Sequence, residues 1–572
     1  MLARVQSYLL QGIDAHPCEV EIDNDPMAFK DENTPQATVV GLPDASVKES
    51  ISRVRSALNN SKFFFPTGRT LINLAPADVK KEGPVYDLPI AVGLLMVQGI
   101  IGGRAKTAHS THHQSTHPNK ATGSELKVEV KAGRAAALTS TPHSPAPHSP
   151  TSSDSVTSSL LHSVTSDPDP RQFLFAGELA LDGRLRPIRG VLALAALAKS
   201  RGYRGVIVPA ENAAEASVVP GIESIGVRTL AEVVGLLNGL VDMQPHPPLD
   251  IDHALATSNA TVDFVDVRGQ EAVKRAIVIA AAGSHNLLML GPAGTGKTMM
   301  ARALPGVLPP LTPEEAIEIT RIYSAAGQLR PGEGLITVRP VRTPHHTASG
   351  AAIVGGGMVP KPGEISLAHR GVLFMDELPE FPRDVLETLR QPLEDHVVTI
   401  ARAHSAVRFP ANFMLVAAMN PTPKGDIPTD QVGKKAMDRY LSKLSGPLID
   451  RIDIHVEAPA VPWKQLSEAP RGTSSAEMRA KVLAARAIQN KRQGATTPNS
   501  RLTGRQLDTL APMTEEARAV LGQAMAELGL SARAYDKVRR VSRTLADLEG
   551  VEMLQAVHIA EAVQYRLLDR KI

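Results

Sequence analysis

The chain has 572 residues, 43% hydrophobic and 21% charged, with length for about three domains, which excludes a small stapled domain, a fibrous repeat and a wholly disordered chain. Only 3% of residues are aromatic, so stacking platforms for single-stranded bases are not expected, and a net charge of +3 does not by itself imply a nucleic-acid partner. Cys18 is the single cysteine, which removes disulfides and multi-cysteine metal sites within one chain and points to a reducing compartment.

No charged-then-apolar leader opens the sequence. The longest apolar stretch, 88–103, falls short of the roughly 20 residues a membrane helix needs and contains Pro89 and Gln98. A cytoplasmic chain without membrane contact is therefore expected. Short β-rich runs at 20–22, 38–40 and 70–73 alternate with helices expected at 44–59 and 89–98. Residues 104–170 are rich in Ser, Thr, Pro and His and cannot offset their ordering entropy by burial. Seven of the 18 histidines lie there, but their irregular, Pro-flanked spacing reads as solvated linker rather than metal capture. Beyond it, GELALDGRLRPIRG reads as strand, turn, strand about Asp182-Gly183, followed by a helix at 191–200 and a buried strand, GVIVP. The segments 1–103 and 171–242 thus read as two parts of one α/β domain split by the insertion. A linker at 243–260 contains PHPP. From 261 to 465 apolar strands alternate with longer helices, and 466–572 is almost wholly helical.

The run Gly291-Pro292-Ala293-Gly294-Thr295-Gly296-Lys297-Thr298 fits G-x-x-x-x-G-K-[ST], follows the apolar strand NLLML and opens a helix. Glycines let successive backbone N–H groups turn toward phosphates. Lys297 then reaches the β and γ phosphates of ATP, and the Thr298 hydroxyl ligates Mg²⁺. The strand GVLFM ends in Asp376 and Glu377, where a parallel sheet presents carboxylates to the phosphate pocket. Asp376 would hold the Mg²⁺ shell and Glu377 would orient the attacking water; a solvated strand end is the alternative. Asn420 ends the strand NFMLVAAMN, either touching the γ-phosphate or lytic water or simply satisfied at the turn before Pro421. Arg451, in GPLIDRIDIHVEAP, is either a surface ion pair or an arginine finger donated by a neighbouring subunit. Phosphate loop, Asp-Glu strand, Asn-terminated strand, Arg and helical lid follow in the order of parts found in AAA+ ATPases.

The segments VRGQEAVKRAIVIAAAGSHNLLMLGPAGTGKT, RTPHHTASGAAIVGGGMVPKPGEISLAHRGVLFMDELPEF, LRQPLEDHVVTIARAHSAVRFPANFMLVAAMNP and SGPLIDRIDIHVEAP resemble the ComM/YifB group of magnesium-chelatase-like AAA+ proteins. The similarity runs along the whole chain apart from the insertion. It implies an α/β architecture: a Lon-protease-like N-terminal domain, a P-loop AAA+ domain with a parallel sheet, and a C-terminal helical lid. It also implies a helix-2 insert at 342–363 and a hairpin at 396–409, both facing a pore. There Arg402, His404 and Arg408 would contact phosphates without reading sequence; unaided, they read equally as a solvated ribbon face. His345 and His346 are adjacent, so as metal ligands they would point in different directions, and a structural or pore-loop role is expected. Arg533 resembles a sensor-2 arginine reaching the γ-phosphate. Arg540 is the alternative, and with Lys537, Arg539 and Arg543 these residues also fit a solvated helix face.

Two departures from the family pattern matter. Val85 follows Gly83-Pro84 where Lon-like peptidases have Ser, and Leu192 stands where they have Lys, so proteolysis through that dyad is disfavoured. Asn420-Pro421 is followed by Thr422-Pro423-Lys424 instead of the cysteine-rich stretch of many members. The resemblance implies a homo-oligomeric, hexameric, Mg·ATP-driven ring acting on single-stranded or branched DNA without sequence preference, as a branch-migration helicase in recombination during natural transformation. The alternatives are an ATPase subunit of a magnesium-chelatase-type complex and an ATP-dependent protein remodeller without protease activity.

Overall fold

The computed structural model describes residues 1–28, 36–102, 169–357, 360–402, 405–422, 440, 442–462, 472–495, 497–566 and 568. The Ser/Thr/Pro/His-rich stretch therefore lies outside the described residues, apart from its last two positions.

At the N-terminus, β1 (Leu2–Gln11) and β2 (Asp14–Asp25) pair antiparallel, and β2 pairs antiparallel with β4 (Arg69–Ala75), which runs parallel to β3 (Gln36–Val40). The sheet order is β1-β2-β4-β3. Cys18, Val20 and Ile22 of β2 are fully buried at every second position, as one face of a strand requires. Helices Ala45–Asn60, N-capped by Asp44 accepting from Val47 N at 2.7 Å, and Asp87–Val97 pack on that face. After the insertion come β5 (Phe173–Phe175), the hairpin of β6 (Glu178–Leu179) and β7 (Leu185–Arg186), the helix Val191–Ser200, and β8 (Gly205–Pro209) beside β9 (Glu223–Val227). Strands β5, β8 and β9 form a three-stranded parallel sheet. One apolar core draws on both flanks, joining Val20, Ile22, Leu88 and Ile90 to Phe173, Phe175, Ile207 and Ile225. Within 243–260, the helix Ile251–Ala256 forms because Asp250 caps it, accepting from His253 N at 3.0 Å.

The second half is built on β10 (Leu287–Leu290), β11 (Val341–Arg342), the short hairpin of β12 (Gly355–Gly356) and β13 (Lys361–Pro362), β14 (Val372–Met375), the hairpin of β15 (Val397–Arg402) and β16 (Ser405–Pro410), β17 (Met414–Met419) and β18 (Ile454–Glu457). Five of these form a sheet in the order β11-β14-β17-β10-β18, every pair parallel. Both faces are covered, so β14 and β17 are buried from end to end. Alternate residues of β17 serve different cores. Val416 and Ala418 join the cluster containing Val538, Leu545 and Ile559 of the C-terminal helices, whereas Leu415 and Ala417 join Phe381, Phe409 and Leu448. The C-terminal helices begin with Ser475–Gln493, opened by a Ser474/Glu477 capping box, and pack on the first face.

The two halves meet at the helix Pro313–Ala326, itself opened by a Thr312/Glu315 capping box and closed by Gly327. Buried Glu215 accepts hydrogen bonds from Leu192 N at 2.7 Å and from the Ser324 hydroxyl, and Arg321 of the same helix pairs with Asp14. Leu192, Val218, Leu311 and Ile319 form a small apolar cluster across this junction.

Candidate active site

The phosphate loop leaves the C-terminal end of β10. Close approach makes Gly291 necessary, since an added Cβ would lie 2.1 Å from the Ala458 carbonyl oxygen just past β18. Gly294 and Gly296 have φ of 80° and 82°, the left-handed turn that leads into the helix Lys297–Ala303. Lys297 folds back over the loop, donating to Gly291 O at 2.7 Å, Pro292 O at 2.8 Å and Asn420 Oδ1 at 3.3 Å. Burial lowers the pKa of this ammonium, and the nearby Asp376 and Glu377 carboxylates oppose the shift. The Thr298 hydroxyl donates to Asp376 Oδ2 at 2.8 Å. Thus Lys297, Thr298, Asp376 and Asn420 converge at one edge of the sheet, each just beyond the C-terminal end of β10, β14 or β17. Their chemistry fits a Mg²⁺-bound triphosphate. The three oxygens Lys297 touches are uncharged, and Thr298 with Asp376 is a hydroxyl–carboxylate pair of the oxygen type that Mg²⁺ prefers.

Glu377 stands next to Asp376 with its side chain half-exposed, and its partner is His346, whose Nδ1 lies 3.2 Å from Glu377 Oε2. The sequence singled out His345-His346 but carried no sign of this contact, which arises because β11 and β14 are neighbours. Among the described residues no cluster of three His, Cys, Asp or Glu side chains is placed to hold a metal ion.

Arg451 and Arg533 do not join this group. They line a cavity of about 1190 Å³ together with Asn286, Gly371, Met414 and Arg540. Asn286, Gly371 and Arg451 precede β10, β14 and β18, and Met414 begins β17, so this cavity opens at the N-terminal edge of the same sheet. Arg451 is tied back: it pairs with Glu394, donates to Pro447 O at 2.5 Å, and its side chain is 12% exposed, with Nε buried and without a partner among the described residues. Arg533 is exposed, 3.8 Å from Asp450, and Arg540 donates to Leu502 O at 2.7 Å. The rest of that basic cluster is not a solvated face. Lys537 is buried against Asp453 at 2.9 Å, Arg539 reaches Asp508 at 2.9 Å and Arg543 is buried on Asp547. Burial alone would raise the Asp453 carboxyl, but Lys537 and His285 beside it hold it well below the usual carboxylate range. Asn286, missed in the sequence, clamps three strand starts: its amide donates to Arg451 O at 3.0 Å, its Oδ1 accepts from Leu415 N at 2.9 Å, and its carbonyl accepts from Asp453 N at 3.1 Å.

The stretch 342–363 holds the helix Gly350–Val354 and the β12–β13 hairpin; in the β15–β16 hairpin Val398, Ile400, Val407 and Phe409 are buried in a cluster that includes Ile13, while Arg408 is exposed. The Arg402 side chain, His404 and residues 423–439 lie outside what is described. Leu192 is buried and Val85 is partly buried; neither supplies a hydroxyl or an amine. No helix among the described residues is long and apolar enough to cross a membrane.

Three family descriptions match the chain: "Magnesium chelatase, subunit ChlI" over 263–466, "Magnesium chelatase, subunit ChlI C-terminal" over 472–566, and "Subunit ChlI of Mg-chelatase" over 28–111 and 155–212. The chain is 39% identical to the competence protein ComM of Haemophilus influenzae, covering 100% of this chain and 98% of the relative. It is 38% identical to the uncharacterized protein YifB of Salmonella typhimurium, with the same coverage. The magnesium-chelatase 38 kDa subunit of Cereibacter sphaeroides is 24% identical over 54% of this chain and 91% of that one.

Proposed function

Because the chain belongs to the ComM/YifB family of magnesium-chelatase-like AAA+ proteins, we propose that it is a Mg·ATP-driven ring motor that acts on DNA, with branch migration during recombination as its task. The observation that carries this reading is the split of candidate residues between two edges of one parallel sheet. Lys297, Thr298, Asp376, Glu377 and Asn420 stand at the C-terminal edge, Arg451 and Arg533 at the other. A site that needs both sets is completed by the arginine edge of a neighbouring copy, which builds a head-to-tail ring. In it, Lys297 and the loop amides hold the triphosphate, and Thr298 and Asp376 hold Mg²⁺, which neutralises phosphate charge. Glu377 polarises water, Asn420 fixes the Lys297 ammonium, and Arg451 from the neighbour, with Arg533, meets the charge that develops. The insert and the β15–β16 hairpin are the DNA-facing parts, contacting phosphates in a salt-sensitive, sequence-independent way. The name of the Haemophilus relative, a competence protein, agrees with a role in handling incoming DNA.

The family descriptions favour a chelatase motor subunit as a second reading, although the chelatase relative matches only 54% of this chain. Turnover and oligomeric state, measured with and without single-stranded and forked DNA, decide between them. We expect nucleotide-dependent rings and DNA-stimulated hydrolysis that weakens with added salt. Indifference to DNA, with stimulation by chelatase partner subunits, would support the second reading.

A further inference from the structure

The ion pair of Asp453 and Lys537 has no part in the roles above, yet it lies between the two arginines assigned to the neighbour's triphosphate. Asp453 follows Arg451 by two residues and immediately precedes β18. Lys537 follows Arg533 by four on the helix Ala532–Glu549, so these two side chains share one face of it, a turn apart. Asp453 Oδ1 and Lys537 Nζ are 2.9 Å apart, and both side chains are 9% exposed.

The strand side of this link is fixed. The Arg451 carbonyl accepts from Asn286 Nδ2 at 3.0 Å, the Ile452 carbonyl from Arg566 Nη1 at 2.5 Å, and Asp453 N donates to Asn286 O at 3.1 Å. Asp453 Oδ2 accepts from Asn286 N at 3.1 Å, and His285 Nδ1 lies 3.6 Å from the same oxygen. What remains to be set is the register of the helix against the strand. Val538, Val541 and Leu545 hold the helix on the sheet, but apolar contact is non-directional. The Arg533–Asp450 contact, at 3.8 Å with the arginine 67% exposed, is open to screening by water and salt. Directional ties come from Asp453–Lys537 and, two turns further along, from His285 Nε2 to Thr544 Oγ1 at 2.8 Å. Sliding or rolling the helix past Arg451 would strand a buried charge, which strongly opposes the movement.

We infer that Asp453 is a positioning residue that, through Lys537, holds Arg451 and Arg533 at one separation, so that both meet the neighbour's triphosphate together. This rests on the shared-site reading above. Two variants test it. Asp453→Ala/Lys537→Met removes both charges at once and leaves no ion alone in the interior, whereas Lys537→Met keeps the packing of the stem. Urea unfolding shows which variant is folded, and either one alone decides. ATP affinity, measured with a fluorescent nucleotide, should match the wild type, because the phosphate loop stands at the other edge of the sheet. The kcat should fall about 100-fold, the cost of misplacing a reacting group by about 1 Å. Mixed in equal amounts with Glu377→Gln, which brings an intact arginine edge, each variant should regain about a quarter of the wild-type rate. Mixed with Arg451→Ala, damaged at the same edge, neither should regain any. An undiminished kcat overturns the inference. So does a loss explained by weakened ATP binding, or one that Glu377→Gln leaves unrepaired while it repairs Arg451→Ala, since each marks general damage rather than a misplaced arginine edge. Failure of Arg451→Ala and Glu377→Gln to repair one another, in mixtures shown to assemble, refutes the shared site itself, and the inference falls with it.

Discussion

The Lys297 ammonium is buried against two backbone carbonyls and the Asn420 amide, three uncharged oxygens that offset only part of the cost of removing it from water. A polyphosphate supplies the missing charge, so binding energy and site geometry meet at this residue. Lys297→Ala should abolish ATP binding in an equilibrium titration with a fluorescent nucleotide. Glu377→Gln should bind nucleotide with near wild-type affinity while turnover falls at least about 100-fold, the usual contribution of a positioned base. Unimpaired turnover in Glu377→Gln would move the water-polarising role to another residue. These two side chains were legible in the sequence because their motif fixes both residue type and spacing. The His346 contact was not, because nothing in a chain of letters tells that β11 pairs with β14.

At the level of elements, the turn from the helix Arg390–Asp395 into β15 passes through His396, left-handed at φ 56°. Burial, then the charges of Arg501 and Arg370, hold its imidazole down to about 4 against an ordinary 6.5. The unfolded chain therefore binds a proton in a range where the folded chain does not. This contribution to stability is complete above about 6.5 and is lost as pH falls toward about 4. Glu318, held down to about 2 by His369 and Arg370, loses its contribution in a lower window, from 4.5 to about 2. His396→Asn keeps a residue that tolerates the left-handed backbone and removes the titration. Urea unfolding across pH should then show a flatter dependence between 6.5 and 4 than in the wild type; an identical slope would contradict the shift.

Among the elements, the helix at 191–200 and the strand GVIVP were readable to the residue because apolar runs are bounded by Gly, Pro and charge. Strands β1 and β9 were not, since Gln6 and Ser7 interrupt one and Gly226 the other, and only pairing with a neighbour decides them. The basic run 537–543 reads equally as a solvated face, but two of its carboxylate partners, Asp453 and Asp508, are distant in sequence and the third, Asp547, is buried.

For the whole molecule, the arrangement of the sheet decides what one chain can do alone. Strands of four to six residues at about 3.3 Å per residue separate its two edges by more than about 10 Å, so Arg451 does not reach the phosphate loop of its own chain. The sequence contained every member of the set; it did not reveal that they divide between opposite edges, which follows from strand direction. The buried Glu215–Ser324 bond and the Arg321–Asp14 pair attach the N-terminal layers to the helix Pro313–Ala326 and so join the two halves. Mixing two inactive proteins, Arg451→Ala and Glu377→Gln, tests the shared site most directly. Random assembly at equal amounts leaves about one interface in four with both residues intact in a head-to-tail ring, so ATP turnover should return to roughly that fraction of the wild-type rate. Turnover that stays at background at every mixing ratio, with both proteins shown to assemble together, would contradict a triphosphate site built from two chains.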